Sequence, residues 1–139
     1  MLHLAVDYFV FVFVSAIGAI QMSASYGNLR GIFFFANNRV CRYVGLLLIA
    51  CGIVWFYATK NRNINDTEGG IDANDQALWF FLGVVSALIC TFFVTSISQK
   101  KLSSKPKQNY ALGIENLKDS TYLFAIKNSL TYWANNWRK

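Results

Sequence analysis

The residue types that carry most enzyme chemistry are scarce in this chain. His3 is the only histidine, and nothing near it in the sequence suggests a Ser-His-Asp arrangement. The three cysteines, Cys41, Cys51 and Cys90, contain no Cys-x-x-Cys pair, so neither a zinc site nor a redox dithiol is indicated. A glycine-rich phosphate loop is also missing from the sequence. The sequence therefore predicts a protein that is not an enzyme and that binds no metal or cofactor.

A cluster of carboxylates between residues 66 and 75 raises calcium binding as a hypothesis. The cluster consists of Asp66, Glu68, Asp72 and Asp75. An EF-hand loop needs alternating ligands, a glycine and a final glutamate at fixed steps, and these residues do not meet that spacing. We therefore interpret the cluster as a solvated acidic loop. The same loop contains a glycosylation sequon at Asn65.

Asp7 is the only acidic residue within a long apolar segment, and so the only one near the membrane core. A carboxylate inside a membrane span is a candidate for proton or cation passage. Asp7 lies only about one turn from the start of its segment, so we expect it at the membrane interface instead.

Two stripes of small side chains are the clearest interaction signal. Small residues let helices approach closely in lipid, where association depends on van der Waals packing. Each stripe repeats every four residues: Ser15, Ala19 and Ser23 in the first, and Gly83, Ala87, Thr91 and Thr95 in the second. The pattern leaves open whether the stripes pack within the chain or against another protein.

The two stripes lie within the first and third of three long apolar stretches. These stretches are Leu4–Ala24, Val40–Ala58 and Ala77–Ile97. Each has about the 20 residues that a helix needs to cross a bilayer. The aromatic and β-branched start of the first stretch suits a strand in water, but a lone strand leaves its backbone unpaired in lipid. Charged residues make up only 14% of the chain, against about 25% in soluble domains.

The sequence therefore predicts an all-α integral membrane protein with three transmembrane helices and a C-terminal amphipathic helix. Residues 1–99 form the transmembrane region, and residues 100–139 form a basic tail. In the first loop, we expect Ile32–Phe35 to be an interfacial or shallow re-entrant segment with phenylalanine rings at the headgroup boundary. Arg30 and Arg39 would then bind lipid phosphates. A ligand-binding loop is the alternative.

The tail combines charge with an amphipathic pattern. Lys100, Lys101, Lys105 and Lys107 follow the third span and are expected to contact anionic headgroups. A helix at about residues 120–137 would be capped by Asp119 or Ser120. Its apolar residues include Ile126, Leu130, Trp133 and Trp137, which would dock on the membrane surface or on a neighbouring protein.

The distribution of charge predicts the orientation. The net charge is +6, but eight of the 13 basic residues follow the last span and three lie in the first loop. This flanking pattern is typical of membrane proteins rather than of nucleic-acid binding. The positive-inside rule places the tail in the cytoplasm, or in an equivalent compartment such as a matrix, and the N-terminus outside.

The main functional hypothesis is a small non-catalytic accessory subunit or assembly factor of a larger membrane complex. Its partners would be membrane lipids and other membrane subunits, of the same or of a different kind. An oligomeric pore is the alternative, since the layout is similar to that of three-span phage holins. The polar stripe available for a pore is Ser86, Thr91, Thr95 and Ser98. A third hypothesis is a lipid-handling or signalling protein that uses Phe33–Phe35.

Overall fold

The computed structural model describes residues 2–58, 73–98 and 117–137, and helices dominate these ranges. The four α-helices are α1 (Leu2–Gly27), α2 (Asn38–Ala58), α3 (Ala73–Ser98) and α4 (Tyr122–Asn136), and a 3₁₀ turn occupies Arg30–Ile32. The first three are long and apolar enough to cross a membrane. The predicted all-α class with three spans and a C-terminal helix is confirmed, and the chain is a multi-pass membrane protein. The observed helices extend beyond the predicted apolar stretches, because their ends include polar residues.

α1 is the central helix of the bundle. It packs against both α2 and α3, whereas no comparable contact joins α2 to α3 within the described residues. Phe11 of α1 meets Phe56 near the end of α2, with ring centroids 4.9 Å apart. Phe9 meets Trp79 near the start of α3 at 6.3 Å. Thus α1 runs antiparallel to α2 and parallel to α3, as a three-span chain requires.

Glycines allow α1 and α2 to cross closely. A Cβ atom on Gly18 would lie 2.6 Å from the Gly45 carbonyl oxygen, and one on Gly45 would lie 2.7 Å from the Gly18 carbonyl oxygen. Both separations are far below van der Waals contact. The crossing point of α1 and α2 therefore has backbone packed directly against backbone, a geometry available only to glycine.

The turn between α1 and α2 has a well-defined cap at each end. Asn28 adopts the left-handed conformation (φ 53°) just after α1. The Leu29 amide donates to the Ala24 carbonyl at 3.0 Å, and the Asn28 amide donates to the Ser25 carbonyl, which together form a Schellman motif. At the start of α2, the Asn37 side chain accepts a hydrogen bond from the Arg39 amide at 2.9 Å.

Loss of the Asn37 cap should weaken the start of α2. We expect Asn37→Ala to lower the free energy of unfolding in detergent by about 1 kcal/mol, the usual cost of losing an N-cap. Asn37→Ser, which keeps a side-chain acceptor, should unfold like the parent chain. Equal stability of the alanine and serine variants would contradict a capping role. A denaturant titration followed by circular dichroism measures the difference.

The C-terminal helix begins slightly later than predicted. Thr121 occupies the N-cap position of α4, and its side chain makes no capping hydrogen bond. The expectation that Asp119 or Ser120 caps the helix is therefore wrong. The physical reason is packing, because Ser120 and Thr121 are buried, so this segment is held by the bundle.

Candidate functional site

Gln21 organises the junction between the membrane helices and the first loop. Its side chain is fully buried. Its Nε2 donates to the Ile32 carbonyl at 2.9 Å, and its Oε1 accepts from the Phe34 amide at 3.0 Å. The amide thus pairs with the loop backbone on both sides of Phe33, as a neighbouring strand would. This pairing satisfies both ends of the buried Gln21 amide and holds loop backbone that no helix or sheet serves.

Phe33 is buried inside the protein, so its ring does not face lipid. It is 2% exposed and forms a small core with Ala24 and Cys41. The expected contact of the phenylalanine rings with the headgroup region is therefore wrong for Phe33, because Gln21 holds the backbone on either side of it against α1. Phe35 remains 46% exposed, and its carbonyl accepts a hydrogen bond from the Cys41 thiol at 3.3 Å.

The three arginines that the sequence places between the first two spans differ in their surroundings, and two of them, Arg39 and Arg42, lie in α2. Arg42 is partly buried and donates to the Ser25 hydroxyl at 3.2 Å, with its guanidinium 4.3 Å from the Tyr26 ring centroid. Arg42 therefore fastens α2 to α1. Arg30 and Arg39 are both exposed, as contact with lipid phosphates would require.

The segment before α4 packs on this loop. A Cβ atom on Gly31 would overlap the Ser120 carbonyl oxygen and lie 3.0 Å from that of Leu117. Leu117 and Ser120 are both buried. At the start of α4, the Tyr122 ring stacks in parallel on Phe92 of α3, with centroids 3.7 Å apart. We call this assembly of Gln21, Arg30–Phe34 and Leu117–Tyr122 the loop–tail junction.

A side chain at position 31 should release the tail. We expect Gly31→Ala to expose Leu117–Tyr122 to hydrogen exchange, because the new Cβ collides with backbone that cannot rotate away. The three spans should stay folded, since their mutual contacts lie elsewhere. Gly27→Ala is the control, because a Cβ there meets only the flexible Leu29 side chain, at 3.2 Å. Unchanged exchange in Gly31→Ala would contradict the docking.

The two predicted small-residue stripes differ in their surroundings. Gly83, Ala87, Thr91 and Thr95 are all buried, so the α3 stripe is covered within the chain. A Cβ on Gly83 would lie 2.8 Å from Val12 Cγ1 of α1. In the α1 stripe, Ser15 is half-buried beside Gly52, but Ala19 and Ser23 are exposed. The stripes therefore do not pack as a pair.

An open, shallow apolar groove runs along one exposed side of α2. Its volume is about 730 Å³, and it is lined by Leu47, Ala50, Cys51, Val54, Trp55 and Ala58. A smaller cavity of about 340 Å³ shares Cys51 and Trp55 with it and reaches Val10, Val14 and Gly52. Sequence reasoning did not identify this groove, although all six of its lining residues belong to α2.

Gln21 was also missed, although a signal for it existed. It is the only amide side chain in the first apolar stretch, and polar residues within spans usually have a specific partner. Its partners lie 11 and 13 residues away, beyond the reach of any helical spacing rule.

The remaining sequence-predicted residues are placed as follows. Ile126, Leu130, Trp133 and Trp137 are exposed on α4. Asp7 is half-buried in α1, and Asp75 is exposed in the first turn of α3. Among the described residues, no three His, Cys, Asp or Glu side chains group as metal ligands. Lys100, Lys101, Lys105, Lys107, Asn65, Asp66, Glu68 and Asp72 lie outside the described residues.

No protein-family model, curated protein or solved structure matches this chain.

Proposed function

We propose that this chain is a small non-catalytic accessory subunit or assembly factor that packs against other subunits within the membrane. The observation that carries the proposal is the groove on α2. It is an open, shallow apolar surface on one side of α2, and its six lining residues are all exposed and not covered by the chain's other described helices.

The groove suits a transmembrane helix of a partner. Leu47, Ala50, Val54 and Ala58 recur at steps of three and four, so they share one side of α2. The distance from Leu47 to Ala58 is about 16 Å along the helix axis. Small residues at the floor permit close approach, which is what holds helices together in lipid. The exposed ring of Trp55 adds an aromatic surface for a second helix to pack against.

Ala19 and Ser23 supply a second candidate surface. Both are small, exposed and separated by one turn of α1. The α3 stripe cannot serve the same purpose, since all four of its residues are already covered.

The same burial argues against the pore alternative. Thr91 and Thr95 are fully buried, and the Thr95 hydroxyl donates back to the Thr91 carbonyl at 2.8 Å. Two central members of the stripe Ser86, Thr91, Thr95 and Ser98 are thus unavailable to line an aqueous channel.

The experiment compares three alanine-to-leucine variants of the tagged, full-length chain. The parent protein, extracted from its native membrane in mild detergent, should retain a different subunit in fixed stoichiometry, identified by mass spectrometry. Ala50→Leu fills the floor of the groove and should release that subunit. Ala19→Leu tests the second surface. Ala77→Leu, at an exposed position of α3 outside both surfaces, should behave like the parent.

Two results would contradict the proposal. Retention of the same partner by Ala50→Leu and Ala19→Leu would mean that neither surface is used. A homo-oligomer that leaks ions from liposomes would favour the pore. Ala87→Leu is unsuitable here, because Ala87 is fully buried and its enlargement would damage the chain's own packing.

We further propose that the tail is cytoplasmic and the N-terminus external, from the positive-inside rule. Eleven of 13 basic residues lie on the proposed inner side. In sealed cells, a protease added outside should leave a C-terminal epitope tag intact and remove an N-terminal one. The reverse pattern would overturn the orientation.

A further inference from the structure

α4 presents an apolar face that no described part of the chain covers. Leu123, Ile126, Leu130, Trp133 and Trp137 recur at alternating steps of three and four and are all exposed, Trp137 to 83%. The polar Asn128, Thr131 and Asn135 lie on the other side of the helix. We propose that this face inserts into the headgroup region of an anionic lipid bilayer, the same membrane that the three spans cross.

The position of α4 relative to the end of α3 supports insertion of its apolar face into the bilayer. α3 has 26 residues, so it is about 39 Å long, close to the ~40–45 Å of a bilayer with its headgroups. Tyr122 stacks on Phe92, which lies six residues, or about 9 Å, before the end of α3. The contact therefore places the start of α4 near the boundary between acyl chains and headgroups. A helix that begins at this depth with an amphipathic pattern fits the plane of the interface.

The positive charge of the tail favours an anionic lipid surface over an uncharged apolar partner. Residues 100–139 contain eight lysines and arginines against two carboxylates, and the first loop contributes three arginines and no carboxylate. Arg30 is exposed on the loop that holds the tail, and Arg39 is exposed in the first turn of α2. Lys118 and Lys127 flank the apolar face and are exposed too. Basic residues beside an inserting apolar face are the combination that binds acidic headgroups.

The tail is also fixed at one end, which favours binding to the membrane beside it. Gly31 contacts the backbone of Leu117 and Ser120, so the first turn of α4 cannot move far from the bundle. Because the lipid surface is already adjacent, insertion of α4 needs no encounter between separate molecules. The loop–tail junction thereby sets both the depth and the starting point of the helix.

The test uses the full-length chain with Trp55→Phe and Trp79→Phe, which leaves Trp133 and Trp137 as reporters. The chain is reconstituted in vesicles of phosphatidylcholine alone, or of phosphatidylcholine with about a third phosphatidylglycerol. Tryptophan emission and its quenching by lipids brominated near the headgroup or near the chain end are recorded. In the anionic vesicles, we expect a blue shift and stronger quenching by the shallow bromines than by the deep ones.

Two variants that introduce the same charge on opposite sides of α4 test whether its apolar face is the part that inserts into the bilayer. Leu130→Glu, on the apolar face, should abolish the shift and most of the shallow quenching. Asn135→Glu, exposed on the polar side, should keep both. Raised salt should weaken the signal in anionic vesicles, since electrostatic attraction to the surface is screened.

Three outcomes would overturn the inference. The first is equal emission and quenching in neutral and anionic vesicles. The second is identical behaviour of Leu130→Glu and Asn135→Glu. The third is tryptophan burial that rises with the protein-to-lipid ratio together with cross-linked dimers, which would assign the face to a second copy. The inference is independent of the proposed subunit role, so Ala50→Leu should leave the tryptophan signal unchanged.

Discussion

Gln21→Leu should disconnect the first loop from α1. The leucine is similar in size to glutamine but cannot bind the Ile32 carbonyl or the Phe34 amide, so two partly buried hydrogen bonds would be lost. Each such hydrogen bond contributes about 0.5–1.5 kcal/mol to stability, and both are lost together. We therefore expect a large loss in the free energy of unfolding in detergent. Exchange of the Phe34 amide hydrogen should also become much faster.

Ser23→Leu is the matched control for this variant. It introduces the same residue two positions later on the same helix, at an exposed site that makes no contact with the loop backbone in the described hydrogen bonds. It should leave both the unfolding free energy and the Phe34 exchange near the parent values. If Gln21→Leu matched Ser23→Leu, the loop would be held by packing of Phe33 alone.

Gly18→Val should separate α1 from α2. The first atom of the new side chain would lie 2.6 Å from the Gly45 carbonyl oxygen and 3.0 Å from the Ile49 amide nitrogen. Backbone atoms cannot rotate out of the way as a side chain can, so the helices must move apart along their contact. Overpacking usually costs about 1–3 kcal/mol, and we expect the upper end here or beyond. A denaturant titration in detergent measures the loss.

Ala19→Val tests whether the loss of stability in Gly18→Val comes from the position of residue 18 rather than from valine itself. Ala19 is the next residue on α1 and is exposed, so the added methyl groups would point toward lipid. This variant should keep parent stability. Since valine is also a better helix former than glycine, a loss confined to Gly18→Val would come from the crossing and not from the helix itself. Equal stability of both variants would contradict the close backbone contact.

The small-residue stripes illustrate how far a spacing rule reaches. The repeat of four predicts which residues share a side of a helix, and in α3 that side is the buried one. In α1 the same rule groups Ser15 with Ala19 and Ser23, yet only Ser15 is covered. The difference arises because α1 contacts both α2 and α3, on different sides. The sequence of α1 does not determine which side each of these helices covers.

Hydrophobicity along the chain was sufficient to determine the number of spans, the all-helical class and the amphipathic C-terminal helix. These properties depend on the solvent that each segment prefers and on the need to pair backbone groups in lipid, so they can be read from local composition. Partners distant in sequence decided the rest: the Gln21 pairing with the loop, the burial of Phe33, the close crossing of Gly18 and Gly45, and the docking of Leu117–Tyr122 on Gly31. Such contacts depend on how helices meet in space, and only the folded arrangement brings those residues together.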